Sequence, residues 1–234
     1  MAGTRIASFH LVRERPSRAL AAMARLATDG PRLAGTGGLV FWRLLGTGRG
    51  RNTGFGIDPR RTALFALWES DTALDAFLTG SAIARRWGTA EESYTVRLHS
   101  LGGHGSWCGV DVLGGMVAAA TVSGPVAVLT RAVVRTRRWG AFMATGRTVS
   151  RELADAAGLL AVAGVGEAPL GRQATFSLWT DLDAARQFAY AMPVHAGTVR
   201  RTRDEAWYGE ELFARFHPYD SRGTWDGDDP LTGR

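Results

Sequence analysis

The sequence contains no lysine, and all 28 of its basic residues are arginines. Schiff-base chemistry and nucleophilic catalysis by lysine are therefore excluded. Cysteine is almost absent too: with Cys108 alone, no intrachain disulfide can form, which suits a reducing compartment. Residues 1–20 carry several charges and no apolar run, so they do not resemble a signal peptide. We therefore expect a cytoplasmic protein.

Long basic arms and membrane spans are also missing. The net charge is +6, but the arginines are spread along the chain, so we do not expect a nucleic-acid partner. Residues 112–130 are uncharged and long enough to suggest a span, yet they include several glycines and Pro125. This composition favours a glycine-rich linker followed by a buried strand.

Several common catalytic motifs are absent. The single cysteine and the five scattered histidines, at 10, 99, 104, 195 and 217, do not form a zinc-binding spacing. The glycine-rich segment 46–50 lacks the spacing of a dinucleotide fingerprint and reads as a turn. No phosphate loop and no nucleophile elbow are present.

What the sequence does contain is an internal duplication. Hydrophobic periodicity predicts the order β-α-β-β-α-β twice, which is the ferredoxin-like order. The predicted strands are 6–12, 39–45, 62–68, 94–99, 126–134, 159–165, 173–179 and 211–217. The predicted helices are 16–26, 71–91, 139–156 and 181–206, the last interrupted at Pro193.

Individual residues support the duplication. Arg97, His99, Gly105, Trp107 and Gly109 recur at one constant offset as Arg215, His217, Gly223, Trp225 and Gly227. Each half alone would leave one sheet face bare, and packing the two faces together buries both. We therefore predict an α+β fold: two tandem ferredoxin-like repeats, at 1–110 and 125–234 with a linker at 111–124, forming a fused dimeric α+β barrel.

One histidine stands out against this repeat. His195 follows Pro193, in the predicted first turn of a second helix, and helical spacing gives it an apolar face. It is either a core histidine bonded to a polar neighbour or an imidazole offered to a metal. The matching position of the first half is Ala84, without the proline break. This asymmetry favours a functional role for His195 and one site per chain, in the C-terminal half.

A single helical imidazole beside an apolar pocket, with arginines nearby, is typical of a haem site. The predicted cofactor is therefore haem b, with His195 as the iron ligand. Neighbouring residues complete the candidate site. Residues expected to contact the cofactor from the face of His195 are Phe188, Met192 and Val199, and the candidates for pairing with its propionates are Arg200 and Arg203. The candidate donor to bound oxygen is Gln173, with Arg131 or Arg172 as alternatives. Strand alternation places Gln173, Thr175 and Ser177 on one face of their strand, but it does not tell which face meets the helices.

Four stretches resemble the spheroidene monooxygenase family of carotenoid ketolases: residues 38–50, 124–135, 164–179 and 193–216, the last containing PVHAGTVRRTRDEAWYGEELFARF. The resemblance covers nearly the whole chain and implies a haem-containing oxygenase on a fused dimeric α+β barrel. It also implies that the iron ligand is a histidine on a helix of the C-terminal half, and His195 matches that place.

Three functions follow as hypotheses. The first is a haem-dependent monooxygenase that oxidises an apolar or secondary-metabolite substrate with dioxygen. Its electrons would come from an external donor such as a ferredoxin, because the chain has no nicotinamide or flavin motif. The second is a haem enzyme that acts on an N–O bond, as aldoxime dehydratase does. The third is a cofactor-free ligand-binding barrel. The basic charge permits peripheral membrane contact, and the fold class favours a homo-oligomer.

Overall fold

The computed structural model describes residues 4–49, 56–114, 116, 123–167, 172–191, 202, 205 and 207–232. Within them, eight antiparallel strands form a closed barrel with helices outside it. The strands are β1 (Ile6–Arg13), β2 (Leu39–Gly48), β3 (Ile57–Trp68), β4 (Glu92–Gly105), β5 (Val126–Val134), β6 (Leu159–Gly166), β7 (Arg172–Trp179) and β8 (Tyr208–Gly223). The helices are α1 (Ala19–Thr28), α2 (Gly30–Ala34), α3 (Asp71–Gly80), α4 (Ala82–Trp87), α5 (Trp139–Ala154) and α6 (Leu182–Ala191).

The barrel order is β1-β3-β2-β6-β7-β5-β8-β4, so each half contributes one four-stranded sheet. The sheets join along two edges. The β4–β8 seam is long, from Tyr94 opposite Gly223 to Gly105 opposite Leu212. The β2–β6 seam is short and pairs Gly46 with Gly166 and Thr47 with Val165. The predicted fused dimeric α+β barrel of two ferredoxin-like repeats is confirmed, and the domain limits 1–110, 111–124 and 125–234 stay predictions.

The barrel interior is filled by apolar side chains from both halves. Phe9 of β1 stacks on Phe176 of β7 with ring centroids 3.9 Å apart. Trp107 and Trp225, from the turns after β4 and β8, belong to the same buried cluster. The described interior is therefore a packed core, as protein interiors usually are.

The two tryptophan turns are copies of each other, and each is held by the other half. Glu210 of β8 accepts hydrogen bonds from the backbone N–H groups of Cys108 and Gly109, at 3.0 and 2.7 Å. Glu92 of β4 accepts one from Gly227, at 2.7 Å. The strand before each turn ends in a glycine because the opposing backbone is too close for a side chain. A Cβ on Gly105 would lie 2.0 Å from the carbonyl oxygen of Glu211.

Some predicted boundaries were wrong. β2 continues to Gly48, through the segment predicted as a glycine-rich turn, because a bulge keeps it paired with β3. β3 begins at Ile57, before the predicted strand at 62–68, and β4 and β8 extend well beyond the predicted strands. The helix predicted at 71–91 is broken at Ser81, whose hydroxyl accepts from the Ala84 N–H at 3.0 Å. The first half therefore has a helix break without a proline.

His10 is fully buried between the first sheet and its helices. Its Nδ1 lies 2.9 Å from the Thr95 hydroxyl and its Nε2 lies 2.8 Å from the Ser8 hydroxyl. Burial, helped by the charge of Arg97, lowers the pKa of His10 to about 3. The ring is therefore neutral in the folded protein at neutral pH.

This depressed pKa predicts an acid-sensitive fold. The unfolded chain binds a proton at His10 below about pH 6.5, whereas the folded chain does not until about pH 3. Stability from this group is therefore complete above pH 6.5 and falls as the pH decreases, by about 2 kcal/mol between pH 7 and pH 5. Urea unfolding at both pH values should show this loss. His10→Gln keeps a polar side chain but does not titrate. Its loss of stability between pH 7 and pH 5 should therefore be about 2 kcal/mol smaller than that of the parent. An equal loss in both proteins would contradict the assignment.

Candidate functional site

The outer face of the C-terminal sheet carries small residues at its centre. Thr130 of β5 lies opposite Thr175 of β7, which lies opposite Gly164 of β6. These three positions share a face of the sheet with Val128, Val162 and Trp179, which pack beneath the helices. We call Thr130, Thr175 and Gly164 the C-terminal recess.

The first half supplies the comparison. At the same register of its sheet, His10 and Leu64 lie at the positions of Thr130 and Thr175, and Leu44 lies opposite Leu64 at the position of Gly164. These larger side chains pack against the helix layer, with the His10 ring 4.8 Å from that of Trp87. The same place in the fold carries large side chains in the first half and small ones in the second.

Exposure confirms that the recess is open. Thr130 is solvent-exposed, although it lies in a central strand and both its neighbours along the chain are buried. Thr175, also on a central strand, is half-buried. No described residue bonds to either hydroxyl. An exposed residue in a central strand, with no described side chain over it, is a candidate position for contact with a ligand.

The recess has an apolar edge and a polar end. Beside Thr130, Phe213 of β8 stacks on His104 of β4, with ring centroids 5.7 Å apart. One step further along the strands, Gln173 lies between Ala132 and Gly166. The alternation left open by the sequence is now resolved: Gln173 shares the helix-facing side with Thr175, as the distal assignment requires.

Arg131 does not lie near Gln173. It points to the opposite side of the sheet, where its guanidinium lies 5.2 Å from the Trp107 ring at one end of the barrel. Its Nη1 donates to Glu210 at 2.6 Å and its Nη2 to Glu167 at 3.1 Å. The two candidate catalytic side chains are thus separated by the sheet. Both carboxylate partners of Arg131 belong to its own half, and Glu210 in turn binds the turn at 106–109 of the first half. Arg172 lies exposed at the start of β7.

Glu210 is the centre of this ion-pair network. Partial burial alone would raise the pKa of its carboxyl. Hydrogen bonds from Gly109, Ser106, Arg131 and Cys108 outweigh burial and lower the pKa to about 2. The carboxylate is therefore charged throughout the physiological range and keeps the turn at 106–109 attached to the C-terminal half.

Phe188 lies in α6 and packs on Trp179, with ring centroids 5.5 Å apart. Its repeat equivalent, Phe77, packs on Trp68 in the same manner. Trp179 and Gln173 are six residues apart on β7, which corresponds to about 20 Å along the strand. Phe188 therefore does not meet Gln173, and its contacts are those of a helix–sheet core residue.

The remaining candidates, His195, Met192, Val199, Arg200 and Arg203, lie outside the described residues. Within the described part of the chain, no group of three or more His, Cys, Asp or Glu residues could hold a metal ion. The sequence analysis missed the roles of Thr130, Gly164, Phe213 and His104. A position-by-position comparison of the two halves would have found the first two, since each replaces a large residue with a small one.

The fold and the recess define the class of protein. It is a fused dimeric α+β barrel with a candidate ligand site on the outer face of its C-terminal sheet. Solved structures agree on the fold. Aldoxime dehydratase in complex with butyraldoxime aligns with a TM-score of 0.63 at 10% identity, covering 99% of this chain and 87% of that one. A second aldoxime dehydratase structure gives 0.61 at 12% identity, covering 98% and 86%.

Sequence comparison identifies the family. The spheroidene monooxygenase of Rubrivivax gelatinosus is 36% identical over 89% of this chain and 82% of its own length. That of Rhodobacter capsulatus is 32% identical over 83% and 81%. No family model matches the chain. The chain belongs to the spheroidene monooxygenase family, and its reaction class is that of a monooxygenase. Among the described helices, none is both long and apolar enough to cross a membrane.

Proposed function

We propose that the chain is a haem-dependent monooxygenase whose haem b occupies the C-terminal recess. The observation that carries the proposal is the exposed Thr130 at the centre of the outer sheet face, where the first half has the buried His10. Thr130, Thr175 and Gly164 leave room for a flat group to lie along the strands. Phe213 gives that space an apolar edge, so the described residues fit a macrocycle on the sheet side.

The repeat supports His195 as the iron ligand. Its counterpart Ala84 lies in the first turn of α4, after the break at Ser81, and is buried in one cluster with Leu64. Leu64 is the counterpart of Thr175. By this correspondence, a longer side chain at the position of Ala84 would point at the recess. We propose that His195 holds the iron from the helix side, opposite the threonines.

The other residues would bind and orient. Haem, when bound, supplies an iron that binds and activates dioxygen. On the sheet side, the Gln173 amide and the hydroxyls of Thr130 and Thr175 are the hydrogen-bond donors. On the helix side, we propose Met192 and Val199 as apolar cover and Arg200 and Arg203 as partners of the propionates.

The proposed reaction inserts one oxygen atom into a C–H bond of an apolar substrate. The relatives are named for spheroidene, and we propose a substrate of the same kind. The second oxygen atom leaves as water, with two electrons and two protons taken up. We propose that an external donor such as a ferredoxin supplies the electrons. Peripheral membrane contact and a homo-oligomer remain parts of this proposal.

An absorption spectrum of the haem-supplemented protein tests it. The parent should show a Soret band that His195→Ala abolishes or shifts, because the iron loses its protein ligand. His104→Ala is the matched control, since His104 lies at the edge of the same sheet face, and it should keep the parent spectrum. A parent without haem would overturn the proposal and favour a cofactor-free barrel. A band lost only in His104→Ala would overturn the ligand assignment.

A second measurement separates oxygenation from N–O chemistry. The proposed reaction consumes dioxygen and stops in its absence. An aldoxime dehydratase-like reaction would continue under nitrogen with a reduced haem. Product formation from an aldoxime without oxygen, together with no oxygen uptake on an apolar substrate, would replace the monooxygenase with that alternative.

A further inference from the structure

One end of the C-terminal sheet carries three exposed arginines. Arg172 begins β7 and lies opposite Val133 of β5. Arg135 follows the end of β5, and Arg137 lies in the short 3₁₀ turn after it. We call Arg135, Arg137 and Arg172 the arginine patch.

The patch is not neutralised within the described residues. None of its three guanidinium groups forms an ion pair there, and Arg135 donates through Nε to the Tyr208 carbonyl at 3.1 Å. The adjacent Arg138, by contrast, pairs with Glu205 at 3.0 Å. All three side chains are exposed to solvent.

The repeat shows that this charge is specific to the second half. At the corresponding end of the first sheet, Glu14 pairs with Arg25 at 2.5 Å and Glu91 pairs with Arg60 at 2.6 Å. The equivalent positions in the second half are Val134 and Gly209. The second half thus lacks both carboxylates while it keeps an arginine, Arg135, at the position of Arg15.

The patch borders the candidate site. Arg172 immediately precedes Gln173, which lies opposite Ala132 at the polar end of the recess. A protein bound to the patch would therefore sit beside the site. That position suits electron delivery, because electron transfer between proteins requires a short distance between the redox centres.

The composition of the surface favours an acidic protein over a lipid membrane. Peripheral membrane binding combines cations with exposed apolar side chains. Among the described residues, the exposed large apolar ones, Leu20, Val40, Ile57 and Val110, all belong to the first half. A cationic surface without such residues attracts an acidic partner by electrostatic steering.

We propose that the arginine patch is the docking surface for an acidic electron-donor protein. This inference rests on the proposed monooxygenase function, which requires external electrons. The inference adds where the electron donor binds and which charges attract it.

Charge reversal at matched positions tests the surface. Arg135→Glu/Arg137→Glu alters the patch, and Arg15→Glu/Arg18→Glu makes an equal change of charge at the corresponding turn of the first half. The probe is a [2Fe–2S] ferredoxin of negative net charge, with binding measured by calorimetry at low and high salt. The patch variant should bind about tenfold or more weakly and lose most of the salt dependence, whereas the control variant should bind like the parent. Equal affinities in all three proteins would overturn the proposal.

Two further readouts separate the possible failures. The rate of iron reduction should fall in the patch variant with reduced ferredoxin but stay unchanged with dithionite, which needs no docking. Because ferredoxin binding does not depend on haem, a parent without haem would refute the monooxygenase and leave the binding test intact. A third measurement is co-sedimentation with phosphatidylglycerol vesicles. If the patch variant lost vesicle binding but kept its ferredoxin binding, the patch would be a membrane surface and the proposal would be overturned.

Discussion

Filling the C-terminal recess is expected to weaken haem binding strongly without unfolding the protein. Thr175→Leu/Gly164→Leu introduces the two side chains that the first half carries at these positions, Leu64 and Leu44. Both positions lie in regular strands, and the first half shows that the barrel accommodates leucines there. Forcing a ligand against such side chains costs about 1–3 kcal/mol for each overpacked contact. Two of them should weaken binding by roughly a hundredfold or more.

A haem titration followed at the Soret band measures this effect, with circular dichroism and urea unfolding as tests of the fold. The matched control is Leu64→Thr, which makes the reverse change in the first half. It should cost about 2–5 kcal/mol of stability, because a buried leucine is lost, and leave haem binding unchanged. If the double variant bound haem as tightly as the parent, the cofactor would not lie on this sheet face.

Removing Arg131 should destabilise the protein strongly. Arg131→Met leaves Glu210 and Glu167 without their shared cation, in a place where Arg131 itself is 2% exposed. Breaking a buried ion pair from one side costs about 3–5 kcal/mol, because the remaining charge stays desolvated. Glu210 keeps its three hydrogen bonds from the turn at 106–109, so we expect the lower end, about 3 kcal/mol.

Urea unfolding measures that loss, and Arg137→Met is the control. Arg137 is exposed and forms no ion pair with a described residue, so its replacement should change stability by less than about 0.5 kcal/mol. Turnover per bound haem should be unaffected in Arg131→Met, since Arg131 and Gln173 lie on opposite faces of the sheet. A stable but inactive Arg131→Met protein would instead support the catalytic role first considered for this arginine.

The fold was predictable because its signals are local and repeated. Matching glycines and tryptophans in both halves revealed the duplication, and alternation located all eight strands. The extensions of β3, β4 and β8 were not predictable, since pairing with another strand holds polar and glycine-rich residues in extended conformation. The sequence also did not reveal on which face of the sheet the Arg131 side chain lies. Apart from Thr130, β5 is buried or half-buried on both faces, so its apolar pattern does not distinguish barrel interior from helix side.

The site was only partly predictable. His195 stood out because its counterpart is an alanine, which requires nothing beyond the sequence. The recess is different, because Thr130, Thr175 and Gly164 come from three strands and become neighbours only through cross-strand register. Each is unremarkable in its own segment. Their combination has meaning only when the two halves are superimposed strand by strand.

The exchanged glutamates have a consequence for how such a barrel can diverge. Glu210 holds the turn of the first half, and Glu92 holds the turn of the second. Neither half therefore completes its own structure, and a fragment containing one repeat would expose unsatisfied backbone groups. Separately expressed halves should consequently recover their native form only when mixed. The same dependence lets one repeat serve as a rigid frame while its twin accumulates substitutions.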